Sequence, residues 1–309
     1  MRAGAVRRPW QAAGAAAVAV AALAGCGATA TSTSGAGATP AGTSSAAGGQ
    51  DDALSAVQLA ARTASGANSV TGTLNLQVTA KPGATPAPTG SGLAGNGDFS
   101  ATAAFAEQLH PSLLARVDIS SLAVSGTTLP GGLSEILTPS TLYLRSSYLT
   151  QALHVAKPWM TIPLARLSQG SGVNITQLLG SLTGNGPTTE SGLLAGATAV
   201  RKVGTGTIAG VPVTEYSGTL SMDKALAALP AATRTQLQPS ITAAGFKTAT
   251  FTTWIDGSHT VRKTVVSESG TALTEVTTTT ITSINQPVTI TPPPASQTQA
   301  LPSGSLPTS

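Results

Sequence analysis

The chain has 309 residues, of which only 9% are charged and 3% aromatic, with a formal charge of +4. Three of its sixteen basic residues, Arg2, Arg7 and Arg8, lie in the first ten positions, leaving thirteen against twelve acids in the remainder. A nearly neutral body poor in aromatics excludes an electrostatic nucleic-acid binder, and Ala, Gly, Ser and Thr replace the ordinary quarter of charged residues.

The chain opens MRAGAVRRPW and continues QAAGAAAVAVAALAG, a basic head followed by an uncharged apolar run of small residues. That order describes a secretory signal, with a retained membrane anchor as the alternative, and the run falls short of the ~20 residues a bilayer span needs. The one cysteine, Cys26, closes it. A lone thiol has no intramolecular disulfide partner, and no other ligand-type residues surround it to hold a metal. Leu23-Ala24-Gly25-Cys26 resembles the lipobox of bacterial lipoprotein signals at all four positions. The resemblance implies that residues 1–25 are removed and that Cys26 carries diacylglycerol through its sulfur, which places the protein on the extracytoplasmic face of the membrane. Residues 26–50 carry no charge and no large apolar side chain beyond the cysteine, and read as a flexible tether.

Residues 51–286 form one domain of a size that β-rich folds reach. DDALSAVQLAARTASGAN (51–68) places two acids at a helix start and sets Leu54, Val57, Ala60, Ala61 and Ala64 on one face. SVTGTLNLQVTA (69–80) changes to period two, with Val70, Leu74, Leu76 and Val78 on one side, as in a half-buried strand. Strands are predicted over 97–105 and over 112–124, where Leu113, Ala115, Val117 and Ile119 alternate. Two more, 140–147 and 157–165, are joined by a polar connector, and the first carries Leu142 and Leu144.

Residues 174–184 and 189–198 read as short helices, the first bearing Leu178, Leu179 and Leu182. A hairpin over 199–208 and 211–220 follows. Residues 222–245 are helical, interrupted at Pro230 and Pro239, and carry Leu226 and Leu229. Three strands, 246–256, 259–269 and 271–284, close the domain as a meander turning at Asp256-Gly257 and Ser269-Gly270. The fold class is α+β. Residues 287–309, Pro-rich and polar, read as a disordered tail.

Three motifs invite chemistry. Gly204-x-Gly206-x-x-Ala209 has the spacing of a dinucleotide fingerprint, but Pro212 and β alternation follow it where that site needs a helix. Ser221-x-x-Lys224 has the spacing of a penicillin-binding nucleophile, but the other two elements of that machinery are absent, and Ser221 serves equally as a helix N-cap. His110, His154 and His259 have no ligand-spaced partners. No catalytic residue, cofactor or metal site is therefore assigned. Trp159 and Trp254 are expected in the core, with Lys157, Arg166, Arg201 and Lys202 on a solvated face.

Leu142-Tyr143-Leu144 with Lys157-Pro158-Trp159, then GTGTIAGVPVTEYSGTLSMDKAL (204–226), then Trp254-Ile255-Asp256-Gly257 leading to Val261-Arg262-Lys263, together resemble the LppX/LprG group of actinobacterial surface lipoproteins over 51–284. The resemblance implies a curved antiparallel half-barrel with helices over its concave face and an acylated lipid held between, as in a carrier of the cell envelope. The lining would come from Leu74, Leu76, Val117, Ile119, Leu142 and Leu144 on strands. Leu178, Leu179, Leu182, Leu226 and Leu229 would contribute from helices. A sheet packed solidly on its helices would give the same pattern, and then the chain is a surface module that binds an envelope protein partner; a hydrolase is a third reading.

Overall fold

The computed structural model describes residues 47–81, 98–128, 130–165, 191–229 and 231–301. Cys26, the tether up to residue 46, and Leu178, Leu179 and Leu182 lie outside the described residues.

Two antiparallel meanders share one curved sheet. The first contains β1 (Ser69–Ala80), β2 (Phe99–Gln108), β3 (Leu114–Val124), the two-residue β4 (Thr127–Thr128), β5 (Leu133–Leu137), β6 (Thr141–Arg145) and β7 (Trp159–Pro163). The second contains β8 (Ala197–Ile208), β9 (Val211–Ser221), β10 (Thr248–Asp256), β11 (Val261–Ser269) and β12 (Leu273–Ile284). They join where β1 pairs antiparallel with β12, Val70 opposite Ile284 and Leu76 opposite Thr277. The order across the sheet is β13 (Thr298–Ala300)-β7-β6-β5-β3-β2-β1-β12-β11-β10-β9-β8, with β4 beside β3.

The period-two segments fold as the alternation dictates. Strand β1 buries Val70, Leu76 and Val78 and turns Thr73, Gln77 and Thr79 outward. Strand β5 escaped the sequence reading because all five of its residues are buried, so no alternation marks it. Glycines admit aromatic rings on the inner face: a Cβ at Gly72 would strike the Phe105 ring, and one at Gly218 would strike the Phe251 ring. Each is a cross-strand pairing of a ring with a bare backbone.

The helices are α1 (Ala47–Ser65), α2 (Ser147–Ala152), α3 (Met222–Ala228) and α4 (Ala231–Ala244). Helix α1 lies on β8 and reaches β11, burying the predicted face of Val57, Ala60, Ala61 and Ala64. Three expectations are corrected here. The connector between β6 and β7 contains α2. The helical stretch after β9 divides between Leu229 and Ala231 but runs unbroken through Pro239. The tail is ordered far past residue 286.

That ordered tail is a strap. From Asn285 the chain carries Val288 and Ile290 onto the outer face of the first meander, where they meet Ile136, Tyr143 and Trp159. It ends in β13 (Thr298–Ala300), paired parallel with β7. Lys157 N–H donates to Gln299 Oε1 at 3.0 Å, Lys157 Nζ to the Ala295 carbonyl at 3.0 Å, and Leu301 N–H to the Thr161 carbonyl at 3.0 Å. The Pro/Ser/Thr composition suggested disorder, but Ile290 and Leu301 are buried anchors that a mean composition hides.

Candidate functional site

Strand register shows what shares the inner face, the one on which α1 lies. One row runs Leu76 (β1), Ala101 (β2) and Leu122 (β3), and the next Leu74, Ala103, Ile119 and Leu133. Beyond them come Gly72, Phe105, Val117, Glu135, Leu144 and Met160, then Val70, Glu107, Ala115, Leu137, Leu142 and Ile162.

The candidate strand residues are therefore brought together. Leu76, Val117 and Ile119, with Leu74 half-buried, belong to one apolar cluster; Leu142 and Leu144 belong to its neighbour with Met160, Ile162 and Leu164. Leu149 of α2 packs against both.

Leu226 and Leu229 are not part of this face. They pack with Leu193, Leu237 and Ile241 in a separate helical corner, because α3 lies on α4, on β9 and on the 3₁₀ turn Leu194–Gly196 rather than across the first meander. Their assignment to the same lining is corrected.

Two residues that sequence reasoning missed stand on this face. Glu107 is 1% exposed and Glu135 3%. Both oxygens of Glu107 and Oε1 of Glu135 have no hydrogen-bond partner among the described residues. Burial raises each carboxyl from 4.5 to about 8. A signal for Glu107 exists in the sequence, since it continues the phase of Phe99, Ala101, Ala103 and Phe105. Glu135, inside the uniformly buried β5, offers none.

The motifs resolve into structure. Gly204 and Gly206 lie within β8, and the hairpin turns through Ala209 and Gly210 at φ of 49° and 79°. The Ser221 hydroxyl accepts from the Lys224 N–H at 3.5 Å and caps α3. Asp256 holds its turn, accepting from Ser258 N–H, Ser258 Oγ and Thr260 N–H, while Arg262 Nε–H donates to its other oxygen at 2.7 Å. Burial opposes ionisation there, but these donors hold the carboxyl below its ordinary range. Trp159 is buried on the outer face, with Arg145 5.1 Å from its ring centroid. Trp254, expected in the core, is half-buried on that face with Lys263 4.9 Å from its ring. His110, His154 and His259 are exposed, and no group of three or more metal-ligating residues gathers among the described residues.

Between α1 and the sheet a cavity of about 10 Å³ is lined by Ala64, Val70, Val261, Ile281 and Ile284 among others, room for a single water. No helix of the described residues is long and apolar enough to cross a membrane.

These features define an α+β half-barrel: an open, curved antiparallel sheet with helices on its inner face. Among solved structures the chain is similar to LprF from Mycobacterium bovis, with 14% identity and a TM-score of 0.47 over 79% of this chain and 97% of that one. It is also similar to the Mycobacterium tuberculosis lipoprotein LppX, with 20% identity and a TM-score of 0.40 over 78% and 100%. No protein-family model matches the sequence, and no curated protein does.

Proposed function

We propose that the protein is an extracytoplasmic lipoprotein, anchored through diacylglycerol on Cys26, whose domain holds an acylated lipid against the inner face of β1–β7. The observation that carries this reading is the apolar surface from Leu76 through Val117 and Ile119 to Leu144 and Met160, which runs through two clusters across six strands and is interrupted only by Glu107 and Glu135. An acyl chain is satisfied by such a surface without hydrogen bonds. The lipobox supports the anchor, since thioether-linked diacylglycerol supplies the two chains that stable attachment requires. A second reading, a non-catalytic module that binds an envelope protein partner, is favoured by the tight layer under α1, where the cavity holds no more than one water.

Native mass spectrometry of the full chain, released from the envelope of an actinobacterial host, tests the carrier. A mass increment beyond the covalent anchor that disappears on organic extraction is expected, and Leu144→Gln should reduce its occupancy. A well-folded wild type without an increment leaves the partner-binding module. For the anchor, Cys26→Ala should abolish acylation and release the protein from the membrane fraction; a fully processed, membrane-bound variant overturns the lipobox.

A further inference from the structure

Glu107 and Glu135 sit in adjacent rows of the same inner face, separated by β3. Glu107 is opposite Ala115, and Glu135 is opposite Val117, two residues along. From strand spacing and rise, the pair stands roughly 10 Å apart across the sheet and 7 Å along it. Their cross-strand neighbours are Val70 for Glu107 and Leu144 for Glu135. No inner-face residue of β3, β6 or β7 in these two rows carries a polar side chain, and Leu149, which packs against both clusters, is apolar.

Burying a carboxyl with no partner is among the costlier things a fold can do, and a Leu in either place would extend the apolar surface on which it stands. A hydrocarbon occupant would gain nothing from the two acids. A group with ester or hydroxyl oxygens would satisfy them.

We propose that Glu107 and Glu135 are the polar end of the ligand site, hydrogen-bonding the ester or hydroxyl oxygens of an acyl lipid that lies across Ala115 and Val117. This rests on the lipid-carrier reading and deepens it: the ligand is an acylglycerol-type ester, with its polar group held inside the sheet rather than left in water. The carboxyls, raised toward 8 by burial, are neutral at pH 6 and present both an O–H donor and a carbonyl acceptor. Two such acids also disfavour a phosphate, since each anion would need a desolvated counter-charge that this face does not supply.

The test compares two fluorescent probes of equal chain length, a pyrene-labelled diacylglycerol and a pyrene-labelled alkane, titrated at pH 6 into the full chain and into its Glu107→Leu/Glu135→Leu variant. A hydrogen bond to a buried partner changes affinity by roughly tenfold. The wild type should prefer the diacylglycerol by at least about tenfold, and the double variant should bind both probes alike with its alkane affinity kept. Glu107→Gln/Glu135→Gln, which keeps donors and acceptors, should retain the preference. A wild type that binds both probes equally, or a Leu variant that still prefers the diacylglycerol, overturns this inference and leaves the carrier. A wild type that binds neither probe overturns both.

Discussion

The two meanders of the sheet bury comparable apolar faces but finish them differently. Over β8–β11 the cover is α1, whose Ala53, Val57, Ala60 and Ala61 interlock with Val200, Leu220, Phe251 and Val266. Small residues let helix and sheet approach, and the cavity beside them, at Ala64, Val261 and Ile281, has room for one water. Over β1–β7 the face is as apolar, yet it holds two acids with unmatched oxygens. The first arrangement is what stability alone selects. The second keeps a destabilising feature that hydrophobic residues would remove, and such features concentrate at functional sites. On the lipid-carrier proposal, the sheet has a structural half and a working half.

The largest expected effect breaks this comparison by pH. Glu107 and Glu135 have folded pKa values near 8 against 4.5 for the free group, and Glu275 is raised by burial in the same direction. The folded state binds more protons within that window, so stability is full below pH 4.5 and falls as pH rises through 8. For either acid of the pair the change is on the order of 5 kcal/mol. Thermal unfolding followed from pH 5 to pH 8 should show a steep fall in midpoint, and Glu107→Leu/Glu135→Leu should flatten it. An equally steep dependence in the variant would move the cause away from the first meander. Asp256 acts oppositely: its lowered pKa contributes stability that is lost only on acidification below its ordinary value of 3.8.

Next comes the strap. Ending the chain at Gln286 removes Ile290 and Leu301 from beside Ile136, Trp159 and Met160. Two such side chains are worth about 3–6 kcal/mol, and calorimetry should register a drop of about 10 °C. An unchanged midpoint would show that the first meander needs no support from the strap.

Helix α1 gives a smaller test of the filled half. Ala60 is fully buried in its cluster, so Ala60→Leu should cost about 1–3 kcal/mol by overpacking in denaturant unfolding. A neutral result would reveal slack beneath α1. Smallest is Ser221→Ala. The bond it removes is long, 3.5 Å, and its loss should cost about 0.5 kcal/mol, with lipid occupancy unchanged.

Much of this architecture was legible in the sequence. Strand β1 starts and ends where its alternation does, because one face meets the core and the other meets water along its whole length. The Asp256-Gly257 turn and the β8–β9 hairpin were equally plain, since their turn chemistry is local. Strand β5 was invisible because both its faces are covered, one by the inner clusters and one by the strap, and that second cover is supplied from residues 288 and 290. The strap itself was misread for the converse reason: three prolines in a row dominate the composition, while its two anchors are single residues. The site divided the same way. Leu76, Val117, Ile119, Leu142 and Leu144 follow from strand parity, whereas Leu226 and Leu229 depended on where a helix docks, which periodicity does not say.

The pairing of β1 with β12 bears on when the fold can close. Ser69 Oγ–H donates to the carbonyl of Gln286, 217 residues away, and Asn285 Oδ1 accepts from Asn68 N–H beside it. Each meander is local and can zip from its own turns, but the seam between them closes a loop that contains nearly the whole domain. An emerging chain therefore has an open edge on β1 until its last main strand arrives, and that edge is a template for pairing with another molecule. A chain with this topology completes its fold only once nearly the whole domain is available, so the interval before the seam closes is the moment when the β1 edge is most open to a wrong partner.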